Sequence, residues 1–376
     1  MRWRARLRWT GGRGVSPGRG LLAPALLVAG LALGCGQGDP DAAPHLGGVG
    51  PSTRTSCDLY AATQGSDSAP GSRARPLRTA QRLVGALDPG QIGCFRGGTY
   101  TFSLIEISTP GVTLASYGDE AVILEGDIKV LPAGRGSTIE GLKLNSASGA
   151  DDIGPRIYAD GVVLRGNEIT NDHTSICVQV GAYFSGPPPR GVVIELNRIH
   201  DCGALPSTNQ DHGIYISEAR GTIVRDNWIY ENTDRGIQLY PDAEGSTISG
   251  NVIDSNGEGI VFGGDGSDVS SDNLVAGNVI SNSNLGWNVY SNTPGPPADG
   301  NVLRHNCVWA GDALADFESD GGVETSSPDF AAEANAVVDP LYVDRDAPDY
   351  TLSPKSECPL AGEPGFPALN GAGSRP

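Results

Sequence analysis

The sequence predicts an all-β solenoid, in which short parallel strands coil around one core and a short α-helix closes the N-terminal end. Three observations lead to this prediction. One phrase is repeated along the chain, apolar and polar residues alternate inside each copy, and an asparagine recurs at one position of the phrase. Such alternation is typical of a strand with one buried face. Copies too short to form a sheet alone can bury a continuous core by stacking.

The repeated phrase is clearest between residues 222 and 262. It consists of an aliphatic residue, a turn, Asn-x-Ile, a second turn and Gly-Ile-x-apolar. The first copy comprises Val224, Asn227, Ile229, Gly236, Ile237 and Leu239, and the second comprises Ile248, Asn251, Ile253, Gly259, Ile260 and Phe262. The strands that begin at the Gly-Ile pair predict one inward column of Ile176, Ile214, Ile237, Ile260 and Trp287, and a second of Val178, Ile216, Leu239, Phe262 and Val289.

The recurring asparagine predicts a buried ladder. It occurs at Asn167, Asn197, Asn227, Asn251, Asn278 and Asn306, with successive gaps of 30, 30, 24, 27 and 28 residues. An amide can donate to one neighbour and accept from the other, which satisfies a polar group inside a core. The alternative is six unrelated turn asparagines. Their fixed place two residues before an apolar residue favours the ladder.

The N-x-I-x-x-N-x-x-x-G-I phrases resemble the right-handed parallel β-helix repeat family, the pectate-lyase-like superfamily. The resemblance covers roughly residues 100–317. It implies a right-handed parallel β-helix and is specific for the fold. Members include polysaccharide lyases, hydrolases, alginate epimerases and phage tailspikes, so the fold does not by itself identify an activity.

The N-terminus predicts export. Residues 1–34 combine six arginines with an apolar stretch from residue 21, as in a signal peptide, and the following Cys35 resembles the lipidated residue of a bacterial lipoprotein. We therefore expect a cell-envelope protein that a lipid anchors to the membrane; the alternative is ordinary cleavage and secretion. The net charge is −18, and −24 without the six leader arginines, which argues against a nucleic-acid partner. A monomer is expected.

Four regions follow the signal peptide. Residues 35–56, rich in Gly and Pro, predict a flexible linker. Residues 57–100 resemble the N-terminal cap of the family, with a helix that begins at Pro76 and ends at Asp88-Pro89-Gly90. The apolar face of that helix comprises Leu77, Ala80, Val84 and Leu87. Residues 101–317 predict the β-helix, and residues 318–376 predict a C-terminal closing segment and tail.

Six cysteines remain if Cys35 carries a lipid, and an even number in an exported chain predicts disulfides. Each proposed pair falls within one structural neighbourhood: Cys57–Cys94, Cys177–Cys202 and Cys307–Cys358. Buried free thiols are the alternative. Cys177 lies between two residues predicted to point inward, so we expect it to point outward. Two insertions, residues 181–190 and 202–210, interrupt the coils, and the second disulfide would hold the latter over the outer strand face, where we expect a groove.

Candidate chemistry lies on three successive coils, directly before the recurring glycine. His212, Arg235 and Glu258 should stack about 4.8 Å apart, the strand spacing. A uronate lyase or C5-epimerase needs a cation to neutralise the substrate carboxylate, a base and an acid. We assign Arg235 to neutralisation, His212 to the base, and Tyr215 or Tyr240 to the acid. Alginate epimerases of this fold also use a His and an Arg on neighbouring coils.

Further side chains on the same ridge are candidates for substrate binding: Asp211, Asp234, Gln238, Glu258, Asn288 and Tyr290. The alternative is a turn histidine beside an exposed ion pair, which would contribute little. Metal ligands are not assigned. Calcium is an option because of Asp151, Asp152 and the acidic run from Asp265 to Asp272. The sequence thus predicts a polysaccharide-acting lyase or epimerase, with a non-catalytic glycan-binding or structural surface protein as the alternative and a hydrolase third.

Overall fold

The computed structural model describes residues 54–311 and 320–359, which all lie in the second of two units, residues 43–376. The predicted signal peptide, Cys35 and most of the predicted linker lie outside the described residues. In the described ranges the chain forms 30 strands, a five-residue helix and a 3-10 turn at Pro132–Gly134. The predicted parallel solenoid is confirmed. None of the helices in these ranges is long and apolar enough to cross a membrane.

One sheet runs the length of the solenoid as the first ladder. Its strands are all parallel, and each belongs to a successive coil. They are β1 (Leu59–Ala61), β2 (Ile92–Phe95), β4 (Thr113–Ser116), β6 (Thr138–Glu140), β9 (Val163–Arg165), β12 (Val193–Glu195), β15 (Ile223–Arg225), β18 (Thr247–Ser249), β22 (Leu274–Ala276), β25 (Val302–Arg304) and β27 (Ala331–Glu333).

A second sheet supplies two further ladders. They diverge from two long paired strands, β3 (Gly98–Ile107) and β5 (Val122–Val130). The second ladder comprises β7 (Lys143–Asn145), β10 (Glu168–Thr170), β13 (Arg198–His200), β16 (Trp228–Tyr230), β19 (Val252–Asp254), β23 (Val279–Ser281), β26 (Cys307–Trp309) and β28 (Ala336–Val337). The third comprises β8 (Arg156–Ile157), β11 (Val178–Val180), β14 (His212–Ile216), β17 (Arg235–Leu239), β20 (Glu258–Asp265) and β24 (Val289–Asn292), with β21 (Asp268–Val269) folded back on β20.

The core consists of registered columns of aliphatic side chains. In the first ladder, Ile194 pairs with Val224 and Val224 with Ile248, and in the second, Ile199 pairs with Ile229. All are fully buried. Burying each such side chain contributes roughly 1.5–3 kcal/mol, so the stacked coils stabilise one another although no coil could stand alone.

The asparagine ladder is confirmed. In each step the side-chain Nδ2 and the backbone N of one asparagine both donate to Oδ1 of the next, as Asn197 does to Asn227 at 2.9 Å. The ladder runs from Asn167 to Asn306 and extends to Asn335. The second Asn of the phrase makes a further ladder, since Asn232 Nδ2 donates to Asn256 Oδ1 at 2.8 Å.

The predicted register of the Gly-Ile column is wrong at both ends by two residues. Val178, not Ile176, pairs with Ile214, and Val289, not Trp287, pairs with Ile260. Two substitutions in the repeat explain the error. The glycine position is occupied by Cys177 in the first of these coils and by Asn288 in the last, so no glycine marks the register there.

The prediction that Cys177 points outward is also wrong. A Cβ placed on Gly213 would lie 2.9 Å from Asn232 Nδ2, so the glycine position points into the solenoid. Cys177 occupies the equivalent of Gly213, Cys202 occupies the equivalent of Asn232, and both are fully buried. The disulfide therefore replaces an internal glycine–asparagine contact. All three predicted pairs, Cys57–Cys94, Cys177–Cys202 and Cys307–Cys358, are confirmed.

The N-terminal helix α1 spans Ala80–Val84, so the predicted start at Pro76 is wrong. Thr79 is the N-cap, and its side chain accepts a hydrogen bond from Arg82 N. Leu83 lies on the buried face together with Ala80 and Val84, whereas Leu77 precedes the helix and Leu87 follows it; all five are buried. The helix covers the open end of the core, as a solenoid requires.

A C-terminal hairpin covers part of the second ladder. Its strands are β29 (Tyr342–Asp344) and β30 (Asp349–Leu352). Tyr350 is fully buried, with its ring centroid 5.6 Å from that of Trp228 and 5.0 Å from that of Tyr230. The first two ladders themselves extend through β27 and β28, beyond the predicted boundary at residue 317. The hairpin thus covers the outer face of the second ladder from β16 to β26.

Candidate functional site

The three residues predicted to stack before the glycine do so. His212 pairs with Arg235, and Arg235 pairs with Glu258, on β14, β17 and β20. Arg235 Nε lies 3.0 Å from Glu258 Oε2, in a largely buried ion pair. The predicted adjacency of imidazole, guanidinium and carboxylate is therefore present, but the Arg235 side chain is only 3% exposed.

The insertion at residues 203–210 covers this column, and two buried side chains hold it in place. Asp234 accepts hydrogen bonds from Ser207 Oγ at 2.5 Å, Gln210 N at 2.7 Å and Asp211 N at 2.8 Å. Arg235 donates through Nη1 to Asn209 O at 3.1 Å and through Nη2 to Asn209 Oδ1 at 2.6 Å. Both Nη atoms of Arg235 thus donate to the loop.

His212 lies next to the loop with 2% of its surface exposed. The pKa of His212 is lowered to about 3, mainly by burial. The positive charge of Arg235 also lowers this pKa, and its effect is larger than the opposite effect of Asp234. The imidazole is therefore neutral at neutral pH. Its Nδ1 accepts no hydrogen bond from the described residues, and its ring centroid lies 5.5 Å from that of Tyr215.

Tyr290 completes the charged column. Its hydroxyl accepts hydrogen bonds from Arg235 Nε at 3.3 Å and Nη2 at 2.9 Å, and it donates to Glu258 Oε2 at 2.8 Å. Burial raises the pKa of Tyr290 to about 12. The charge of Glu258 adds to this rise, and the charge of Arg235 reduces it. The hydroxyl is therefore protonated and held between a cation and a carboxylate.

The outer face of the third ladder carries a row of tyrosines and amides. Register pairs Gln179 with Tyr215 and Tyr215 with Gln238, and Tyr290 follows two coils further on. Tyr158 and Tyr240 belong to the adjacent column, since their backbone N–H groups donate to Val130 and Ile216 on the preceding coil. We call this surface the tyrosine face and define it as Tyr158, Gln179, Tyr215, Gln238, Tyr240 and Tyr290. All but Gln238 are partly exposed.

The first insertion adds aromatic surface beside the tyrosine face. The Tyr183 ring centroid lies 5.1 Å from that of Tyr158, and the Phe184 ring lies 4.6 Å from that of Tyr183. Phe184 is 84% exposed, the highest value among the large hydrophobic side chains of the described residues that project into solvent. Phe184 and Tyr183 together form an aromatic pair at the surface beside the tyrosine face.

Two predicted substrate-binding residues have internal roles. Asn288 is fully buried, points inward, donates to Trp309 O and Gly321 O at 2.8 Å, and accepts from Ser283 Oγ at 2.7 Å. The predicted assignment of Asn288 to the outer face is therefore wrong, because the register is shifted by two residues. Asp211 accepts from Ala204 N and Thr208 Oγ1, so it shapes the base of the loop.

A polar row on the second ladder was missed by the sequence reasoning. Lys143 pairs with Glu168 at 2.7 Å, and His200 pairs with Asp201 at 2.9 Å and lies 3.6 Å from Glu168. Lys143, Glu168 and His200 each flank an inward aliphatic residue (Leu144, Ile169 and Ile199), so alternation alone could have identified them as outward-facing. Across residues 54–311 and 320–359, no three His, Cys, Asp or Glu side chains form a cluster suited to a metal ion. Of the acidic run considered for calcium, Asp265 and Asp268 pair across the β20–β21 hairpin.

Comparison with known proteins identifies the family. Residues 133–322, just over half of the chain, match the family described as "Right handed beta helix region". The chain belongs to this family. No curated protein matches the sequence. Among solved structures, the pectate lyase Pel9A is 15% identical with a TM-score of 0.56, and the match covers 84% of this chain and 91% of that chain.

A second solved structure, the complex of XylC with xylose, is 12% identical with a TM-score of 0.52. The match covers 67% of this chain and 66% of the XylC chain. At these identities the likeness of both structures establishes the fold alone. The three disulfides are a separate observation, and they are typical of exported proteins.

Proposed function

We propose that the protein is exported and binds a polysaccharide along the tyrosine face. The observation that carries this proposal is the registered row of tyrosine and amide side chains on the third ladder, all partly exposed except the buried Gln238. A polysaccharide that lies across the strands meets a new coil about every 4.8 Å, so equivalent side chains of successive coils offer it a repeating series of contacts.

The chemistry of these side chains suits sugars. A tyrosine ring presents an apolar face to the C–H groups of a sugar ring and a hydroxyl to its oxygens. The partly exposed amide of Gln179 can both donate and accept, which matches sugar hydroxyl groups. The fold shared with pectate lyase Pel9A, and the xylose of the XylC complex, are consistent with a carbohydrate ligand.

A lyase or C5-epimerase acting on a uronate-containing glycan is the second candidate function. The arrangement that favours this activity is the series of hydrogen bonds from Arg235 to Tyr290 and from Tyr290 to Glu258. It places a phenol beside a guanidinium at the edge of the tyrosine face. In this proposal Arg235 neutralises the uronate carboxylate and neutral His212 takes the C5 proton. Tyr215 or Tyr240 then protonates the O4 leaving group as the C4–O4 bond breaks and the C4=C5 double bond forms (lyase), or returns a proton to the opposite face of C5 (epimerase). Since Arg235 and His212 are buried, the reaction requires the loop at residues 203–210 to move away.

The binding proposal can be tested with the purified full chain and long polysaccharides: pectate, alginate, and a neutral xylan. We expect Tyr215→Ala and Tyr240→Ala each to weaken binding of the recognised glycan about five- to tenfold, the loss expected for one aromatic contact. The matched control is Tyr117→Ala, which removes a tyrosine after β4 of the first ladder. Binding unaffected by both face variants, or no binding to any glycan, would contradict the proposal.

The second candidate has its own readouts. Turnover of pectate or alginate is followed by unsaturated-product absorbance and by uronate composition, with and without Ca²⁺. His212→Ala and Arg235→Ala should abolish turnover if these residues act as assigned. Retained turnover in both variants excludes the assignment, and binding without turnover by the unaltered protein leaves glycan binding as the function.

A further inference from the structure

The loop at residues 203–210 also borders a groove on the side of the second ladder. The groove has a volume of about 590 Å³. Its lining includes His173, Asp201, Leu205, Glu231, Thr233 and Leu285. Volumes of roughly 300–1,000 Å³ are typical of small-ligand sites, so the groove can hold a molecule of that size. We call it the corner groove, because its residues lie at the corners of consecutive coils.

The walls of the corner groove are apolar although they face water. Leu205 is 66% exposed and Leu285 is 60% exposed, and the two side chains come from segments 80 residues apart. Few large hydrophobic side chains in the described ranges are this exposed, and two of them line one groove. Exposed apolar side chains that are scattered singly need no explanation, but paired walls around a polar floor are typical of a ligand site.

The floor is a fixed hydrogen-bonded network. Thr233 Oγ1 donates to Gly203 O at 2.7 Å, so it accepts at its 3.0 Å contact with His173 Nδ1. His173 Nε2 lies 3.4 Å from Asp201 Oδ1, and Asp201 Oδ2 also lies 2.9 Å from His200 Nδ1. The carboxylate of Asp201 is therefore held in one orientation at the groove surface, as a preorganised acceptor.

The lining contains two carboxylates, Asp201 and Glu231, and one imidazole, His173. Asp201 is paired with His200, which is protonated at neutral pH, so Glu231 supplies the negative charge that no ion pair among the described residues neutralises. Carboxylates accept hydrogen bonds from sugar hydroxyl or ammonium groups, whereas they repel the carboxylate of a uronate. The apolar walls suit the C–H faces of a sugar ring. The net charge of −18 also repels a uronate carboxylate, over a longer range.

We propose that the corner groove binds a sugar unit that bears no carboxylate, either neutral or amino. This inference rests on the proposed glycan-binding function and specifies the class of sugar. It places a second glycan-contacting surface at the same loop that covers Arg235. A glycan that contacts both surfaces would contain neutral or amino sugars in addition to any uronate.

The test uses the full chain and short probes that fit the groove: a neutral glucan disaccharide, a glucosamine disaccharide and a galacturonate disaccharide. We expect the neutral or the amino probe to bind and the uronate probe to bind at least about tenfold more weakly. Glu231→Gln and Leu285→Ala should each lower the affinity for the probe that binds several-fold. Leu341→Ala, at a leucine 41% exposed on the C-terminal segment, is the matched control.

Hydrogen exchange then locates the bound probe. Protection at residues 203–208 and 231–233 supports the corner groove. Protection on the tyrosine face alone, tighter binding of the uronate probe, or no binding of any probe overturns this inference. These outcomes are distinct from failure of the proposed function, because the tyrosine-face variants are scored with long polysaccharides and the groove variants with disaccharides.

Discussion

The asparagine ladder and the loop at residues 203–210 both bury polar groups, but they do so by different rules. Each ladder asparagine contacts the equivalent atom of the next coil, as Asn227 does with Asn251 at 2.9 Å. The loop instead binds Asp234 and Arg235, which have no equivalent partner in other coils. A repeated contact can be recognised in the sequence because its partner is another copy of itself, whereas a contact made once leaves no periodic signal.

The largest expected effect is on the repeated contacts. Asn227→Ala removes the acceptor for Asn197 Nδ2 and N and the donor to Ile194 O, all buried. Because water cannot reach these groups, we expect the free energy of unfolding to fall by about 3–5 kcal/mol, as measured by urea denaturation. Asn292→Ala, at an exposed asparagine, is the control. Equal losses in the two variants would show that the ladder does not stabilise the core.

A smaller effect is expected for the contacts of the loop. Asp234→Ala removes the acceptor for Ser207, Gln210 and Asp211, but the released groups can turn to water. We expect the free energy of unfolding to fall by about 1–3 kcal/mol, with faster hydrogen exchange at residues 204–210. Asp265→Ala, at an exposed carboxylate, should change neither. Unchanged exchange in Asp234→Ala would mean that the loop is held by other contacts.

The smallest effect concerns an outward residue at a periodic position. Burial lowers the pKa of His200, but hydrogen bonds to Asp201 and Glu168 outweigh it and raise the pKa to about 9. A raised pKa stabilises the fold fully below the unfolded value of 6.5, and this contribution is lost as the pH rises through 9. Lys143 and His173 pair with the same two carboxylates, and the His200 ring stacks on Tyr230.

We therefore expect His200→Gln to lower the free energy of unfolding by about 1–2 kcal/mol below pH 6.5 and by less above pH 9. Urea denaturation across this range measures the difference. The control His305→Gln, at a coil corner of the first ladder, tests whether replacement of any histidine gives the same dependence of the free energy of unfolding on pH. A pH-independent loss in His200→Gln would show that the imidazole acts through packing and not through its charge.

The sequence was sufficient for the solenoid, the asparagine ladder and the stacking of His212, Arg235 and Glu258, because all depend on position within the repeat. It was also sufficient for the three disulfides, because the partners of each pair fall within one structural neighbourhood. It was not sufficient where a residue replaced the marker of that position. Cys177 and Asn288 stand in the glycine position, so the register shifted by two residues and both side chains were placed on the wrong face. The burial of Arg235 depends on a loop that occurs once, and no local pattern indicates where that loop folds.

The spacing of the ladder asparagines has a consequence for the length of the molecule. Coils of 24 to 30 residues maintain the same ladder, so the extra residues of longer coils are accommodated outside it. Excision of residues 228–251 would join Asn227 to Val252 and let Asn227 replace Asn251 as the neighbour of Asn278. We expect the shortened chain to keep an uninterrupted amide stack, so the number of turns can change by whole units without redesign of the interior.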